Sequence, residues 1–198
     1  MDKQQQHFLK LLKPIELPVQ AYVRHLAWSR NDVEDIFQTA LLNAYKKFDS
    51  YEEGTNFKAW FFQFVTYAAF NANRKHEKIS TRELAVEPEH IADFGPEGVS
   101  FEQDLEQEEI LKDPDSILAN IDEEIRQAIR RLSIRRRSVF LLKAVADLSY
   151  IEMSQVLDIP IGTVMGELYR AREQLRKDLG GYARRIGILK KDGDSNEV

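Results

Sequence analysis

Residues 78–124 carry 15 acidic side chains against three basic ones, Lys78, Arg82 and Lys112, together with Pro88, Pro96, Pro114, Gly95 and Gly98. A stretch so charged and so poor in aromatics cannot bury enough apolar surface to offset the entropy of ordering its backbone. Its prolines also interrupt any long helix. The compact parts of the chain must therefore come from residues 1–77 and 125–198. The acidic segment reads as a flexible linker with at most short helical pieces. Two readings of its charge stand: a solvated spacer, or an acidic strand that mimics nucleic acid inside a basic channel.

The same segment decides how the total charge is to be read. Across 198 residues, 28 Lys plus Arg and 33 Asp plus Glu leave a net charge of −5. As an average this argues against a nucleic-acid partner, because phosphate binding is driven by Lys and Arg. Split by segment, residues 1–77 hold 10 basic and 9 acidic residues, for +1; residues 78–124 are at −12; residues 125–198 hold 15 basic and 9 acidic, for +6. Charges further apart than about 8–10 Å are largely screened from one another, so the C-terminal end acts as a basic body.

Several classes drop out. The absence of cysteine excludes a disulfide framework, a thiolate metal site and a thiol nucleophile. The N-terminal MDKQQQHFLKLLKP has no signal-peptide core, and no run approaches the roughly 18 apolar residues of a membrane span. A soluble cytoplasmic protein without membrane insertion is expected. His7, His25, His76 and His90 are scattered without metal-ligand spacing and read as surface or capping residues. Gly162-Thr163 lacks the glycine and lysine of a phosphate loop, and Ser138 and Ser149 have no base in a recognisable motif. No enzyme, catalytic residue, metal or cofactor is expected.

Both ends read as helical. Phe8, Leu9, Leu11 and Leu12 open one helix, interrupted by Pro14 and Pro18; Val19, Tyr22, Val23 and Leu26 suggest a second, to about Trp28. Asn31 or Asp32 caps a third, with Asp32, Glu34 and Asp35 in its first turn and an end near Phe48. After a turn-like stretch, Thr55 or Asn56 caps a long helix that ends at Arg74-Lys75. Phe57, Phe61, Phe64, Ala68 and Asn71 form one stripe of it, with Trp60 and Tyr67 on the flank. Phe62 and Phe70 lie on the other side, among Gln63, Thr66, Asn73 and Arg74. Either a neighbouring helix covers these two aromatics, or they stack on unpaired bases.

In the C-terminal segment Ile125, Ile129 and Leu132 keep helical spacing, and Val139, Leu142 and Ala146 continue it after Arg135-Arg136-Arg137. Ser149 and Glu152 have capping-box spacing, and Asp158-Ile159-Pro160 breaks the short helix they start. A second helix opens near Ile161-Gly162-Thr163 with Val164, Leu168, Ala171 and Leu175 inward and Arg170, Arg172, Arg176 and Lys177 elsewhere. Two short helices about a tight turn describe a helix-turn-helix, whose second helix enters the DNA major groove. The fold class is all-α: two small helical domains, 1–77 and 125–180, an acidic linker, 78–124, and a C-terminal tail, 181–198.

With these motifs in place the chain resembles the extracytoplasmic-function sigma factors of bacterial RNA polymerase. The resemblance covers about residues 20–77 and 125–178. Asp32-Val-Glu-Asp-Ile-Phe-Gln38 and Phe57-Lys-Ala-Trp60 match the family's second sigma domain; Leu148-Ser-Tyr-Ile-Glu152, Pro160-Ile-Gly-Thr-Val164 and Arg170-Ala-Arg172 match its fourth. The resemblance implies a transcription initiation factor that directs core polymerase to promoters and supports DNA melting. Its implied partners are core RNA polymerase, through the β′ clamp and the β flap, and promoter DNA; family members are often restrained by an anti-sigma factor. Asp35, Gln38 and Thr39 fall where members touch the clamp. Thr55, Asn56, Tyr67, Phe70, Asn71, Arg74 and Lys75 fall where the melted −10 strand is read, with a base turned out between loop Tyr51–Asn56 and the next helix. Removing a base from its stack costs a few kcal/mol, which stacking and edge hydrogen bonds must return. Arg136, Arg137, Thr163, Met165, Gly166, Glu167, Arg170 and Arg172 fall on the −35 side.

The departures are local. Thr39 replaces a usual Glu, Tyr67 a common Asn, and Met165-Gly166-Glu167 a basic residue, Ser and Arg. A groove-facing Glu167 repels phosphate, and two missing cations weaken attraction to DNA. Weak or unusual −35 binding is expected, with Arg135, Arg136, Arg137, Arg170 and Arg172 making most backbone contacts. The alternative is a degenerate sigma-like protein that binds polymerase or a regulator without reading a −35 element.

Overall fold

The computed structural model describes residues 3–84 and 123–188, with side chains for 3–76 and 123–188. The readings made for residues 85–122 and for the end of the tail lie outside the described residues. Every regular element among the described residues is helical: α1 (Lys3–Leu12), α2 (Glu16–Leu26), α3 (Asp32–Lys46), α4 (Phe57–Leu84), α5 (Glu123–Arg131), α6 (Ile134–Ala144), α7 (Tyr150–Leu157) and α8 (Ile161–Arg185). Short 3₁₀ turns follow α1 at Lys13–Ile15 and α3 at Phe48–Ser50.

Only one of the two early prolines breaks a helix. Pro14 sits in the 3₁₀ turn that bends α1 into α2. Pro18 lies in the first turn of α2, where its missing N–H has no helical partner to lose. Helix α3 starts at Asp32 without a side-chain cap from Asn31. The Asp32 carboxylate instead accepts from the Ser29 backbone at 3.2 Å and pairs with His76 Nε2 at 2.9 Å. Asn56 caps α4, its Oδ1 accepting from the Ala59 N–H at 3.2 Å. That helix runs nine residues past the expected stop at Lys75, because nothing before Pro88 obliges it to end.

Around α4 the N-terminal core is largely aromatic. Phe8 lies edge-on to Tyr45, Phe48 and Phe57, with ring centroids 5.1–5.8 Å apart. The inner face of α3, Ile36, Ala40 and Ala44, packs on α4 with small residues that allow close approach. Helix α2 covers the opposite side of α4: Phe62 is fully buried against Tyr22, and the hydroxyls of Tyr22 and Thr66 meet at 2.9 Å. Further along, Asn73 accepts from the Trp28 N–H at 2.8 Å and donates to the Leu26 carbonyl at 3.1 Å, closing the C-terminus of α2.

At the C-terminal end the pattern from Ile125 to Ala146 is two helices, not one, parted at Leu132-Ser133 ahead of Arg135-Arg136-Arg137. Ser133 caps α6 by accepting from the Arg136 N–H at 3.4 Å. The capping box at Ser149 and Glu152 is complete, and α7 ends at Asp158 in the left-handed region (φ 52°) before Pro160 opens α8. Val164, Leu168, Ala171 and Leu175 are the buried stripe of α8, packed on α5, α6 and α7.

The two ends are in contact. Helix α7 lies against α4, and α2 lies against α5 and α6. Asn56 Nδ2 donates to Glu152, and Gln63 Nε2 reaches the Gln155 carbonyl at 3.5 Å. His25, expected at the surface or at a cap, is buried among Arg24, Arg126 and Arg130, and its Nε2 has no hydrogen-bond partner among the described residues. Burial, reinforced by those three cations, lowers its pKa to about 4. The burial is tertiary in origin: position 25 is covered by helices more than 95 residues away in sequence.

Candidate nucleic-acid interface

Three separate surfaces hold the residues singled out above. On α3, Asp35, Gln38 and Thr39 are exposed on one face, at spacings of three and one. Gln38 Nε2 donates to Glu34 Oε1 at 2.7 Å, which orients the amide. One turn on, Leu42 is 58% exposed on the same face. It was not among the expected contacts; its signal in the sequence is its position four after Gln38 and three after Thr39. A polar rim around an exposed leucine suits a helix-packing partner better than polar groups alone.

The second surface is the loop before α4 and the outer side of that helix. Tyr51 stacks on Phe48 at 5.8 Å and meets Phe57 edge-on at 5.3 Å, while its hydroxyl donates to the Thr55 carbonyl at 2.8 Å. Thr55 Oγ1 donates to the Glu52 carbonyl at 2.7 Å, and Gly54 takes φ 87°, a backbone state that suits glycine. The loop is thus held to the aromatic core at both ends. Beyond it Tyr67, Asn71 and Arg74 line one face at i, i+4 and i+7, with Phe70 half-buried beside them and Lys75 exposed. Tyr67 is 68% exposed, whereas Phe62 is wholly covered by α2. Of the two off-stripe aromatics, Phe62 is core and Phe70 is half-buried against it; the accessible ring is Tyr67, on the flank of the stripe.

Asn56 differs from the rest of this surface, since its amide is occupied by Glu152 of α7. Burial raises the Glu152 pKa, but hydrogen bonds from the Ser149 N–H and hydroxyl and from Asn56, with the Lys58 charge nearby, hold it below the usual range.

The third surface is the helix-turn-helix. Thr163, Met165, Gly166 and Arg172 are half-buried and Arg170 is exposed. Glu167 does not face outward: its side chain is 15% exposed, with Oε2 3.2 Å from Arg136 Nε and Oε1 3.3 Å from Arg170 Nη1. Arg136 also donates to Gln174 Oε1 at 3.3 Å. Arg137 turns inward to the Arg130 and Leu132 carbonyls at the end of α5, and burial beside Arg130 lowers its pKa. Both arginines have structural partners at the α5–α6–α8 junction, which sequence spacing could not reveal. Arg135, next to them in sequence, is exposed.

Among the described residues no cluster of His, Asp and Glu could hold a metal ion, and no helix is long and apolar enough to cross a membrane. Residues 15–79 match the family model for Sigma-70 region 2 and residues 122–175 that for Sigma-70, region 4. The chain is 30% identical over 152 residues to the ECF RNA polymerase sigma factor SigW of Bacillus subtilis, covering 75% of this chain and 76% of that protein. It is 28% identical over 160 residues to the ECF RNA polymerase sigma-E factor of Escherichia coli K12, covering 78% and 77%. Its fold resembles the sigma factor RpoE in the complex with the anti-sigma factor NepR from Bartonella quintana, with a TM-score of 0.63, 23% identity and coverage of 91% and 98%. It also resembles CnrH in the complex with the cytosolic domain of CnrY, with a TM-score of 0.58, 18% identity and coverage of 89% and 90%. The match to both sigma regions does not favour a degenerate relative. This chain belongs to the ECF RNA polymerase sigma factors, the initiation subunits that direct core polymerase to promoters.

Proposed function

We propose that this sigma factor docks on the β′ clamp through the Asp35–Gln38–Thr39–Leu42 face of α3, captures melted −10 bases on α4, and reads duplex near −35 with α8. The observation that carries the −10 assignment is the outer face of α4. There an exposed tyrosine ring, an amide and a guanidinium stand in line on a helix whose other side is locked by Phe62, Thr66 and Asn73. A ring of that kind stacks on any base, and stacking is worth about 1–3 kcal/mol per base. Asn71 supplies edge hydrogen bonds and Arg74 a phosphate contact.

Run-off transcription with core polymerase tests this division of labour. Tyr67→Ala is expected to lower open-complex formation about tenfold or more, in line with one lost stacking contact. Its affinity for core polymerase stays unchanged, and a template already mismatched at −10 does not rescue it. Leu42→Asp is expected to do the reverse, weakening assembly with core polymerase. No run-off product from any promoter in a randomised library would overturn the reading.

A further inference from the structure

The solvent side of the first two turns of α8 is nearly bare. Gly162 and Gly166 lie one turn apart there; nothing stands within 4 Å of a Cβ built at Gly162, and only the Arg170 head group approaches one at Gly166, at 3.5 Å. Along one edge Ile161, Met165 and Tyr169 follow each other at i, i+4 and i+8. Ile161 is 41% and Tyr169 45% exposed, and Met165 is half-buried. Along the other edge Glu167 is drawn in between Arg136 and Arg170. Its charge is neutralised within the domain and does not meet the phosphates. Besides the exposed Arg170 head group beside Gly166 and the half-buried Thr163, what remains to face a groove is hydrocarbon, aromatic ring and open backbone.

Major-groove base edges offer one hydrocarbon group, the C5 methyl of thymine. Guanine O6 and N7 call for Arg or Lys, and adenine N6 and N7 for Asn or Gln; none of these stands on the Ile161–Met165–Tyr169 strip. The glycines let the helix backbone approach the base edges closely, which brings the apolar side chains beside them to the groove floor. We propose that α8 reads thymine methyl groups: the duplex it selects near −35 places thymines, on either strand, against Ile161, Met165 and Tyr169. This rests on the assignment of α8 to the −35 element made above. Arg135 and Arg170, exposed beside the strip, supply attraction to phosphate that is independent of sequence.

The test uses holoenzyme formed from core polymerase and the full chain, with a promoter library randomised around −35. The selected duplex is then remade with deoxyuridine at each thymine in turn, which removes one methyl and leaves every hydrogen-bonding group in place. Thymine enrichment is expected, with each contacted position weakening promoter binding about fourfold on the change to deoxyuridine, the effect of one buried methyl-sized group. Met165→Ala is expected to abolish the penalty at one position and Tyr169→Ala at another, so misfolding of either variant leaves the other informative. Selection of a −35 element whose thymines can all become deoxyuridine without loss overturns the inference and leaves α8 as the −35 reader. Initiation with no preference at −35 overturns both together.

Discussion

At the scale of single residues, the structure separates side chains that hold the fold from those left for partners. Phe62, Thr66 and Asn73 had the same chemistry on paper as Tyr67, Phe70 and Asn71, but they face α2. Asn73 is buried and uses both ends of its amide on the backbone at the end of α2, so it is not presented to a base. His25 is the clearest titratable case. Its folded pKa of about 4 lies below the ordinary 6.5, so the unfolded chain binds the extra proton first as pH falls. The stability that the neutral ring contributes is complete above about 6.5 and is lost as pH falls toward 4. Melting temperature should therefore decline between pH 6.5 and about 5, before Asp and Glu protonate. His25→Gln should flatten that decline; equal slopes for the two chains would contradict it.

At the scale of elements, the caps at Asn56 and Ser149 and the break at Pro160 were legible because they are local. The Ser149–Glu152 box, the stop before Pro160 and the Asn56 cap all depend on residues three or four apart. The division of α5 from α6 was hidden because Arg135-Arg136-Arg137 reads as one surface run. Only the fold shows Ser133 capping a new helix and Arg137 turning back to the carbonyls of the old one. Helix α8 carries a local conflict, Gly166 in its interior with no crowded neighbour to justify it. Gly166→Ala should stabilise the chain by about 1 kcal/mol through helix propensity, seen as a higher melting temperature. The Arg170 head group, 3.5 Å from the new Cβ, is already at an ordinary contact distance. Unchanged or lower stability would mean that the glycine answers a packing need.

At the scale of the whole molecule, α7 rests on α4, and Asn56 of the loop before α4 is bonded to Glu152 of the helix-turn-helix. Promoter elements near −10 and −35 are about 25 base pairs apart, roughly 85 Å along duplex at 3.4 Å per pair. If α4 and α8 read these two elements as proposed, they cannot stay in contact and reach both. Promoter engagement must therefore separate α7 from α4. With no native cysteine, dyes at Glu52→Cys and Asp178→Cys report this directly. Energy transfer should be high in the free chain and fall in the promoter complex; no change would show that the closed arrangement persists.

The sequence by itself determined the helical class, the caps at Asn56 and Ser149, the helix-turn-helix and the family, since each is written in short-range spacing. It also showed that a charge of −5 conceals a basic C-terminal end. Tertiary structure alone decided which polar side chains remain available. Glu167 was withdrawn by Arg136 from another helix, Phe62 was covered by α2, and His25 was buried by α5 and α6. The reason is physical: helical periodicity assigns a residue to a face, but which faces meet depends on contacts between segments far apart in the chain.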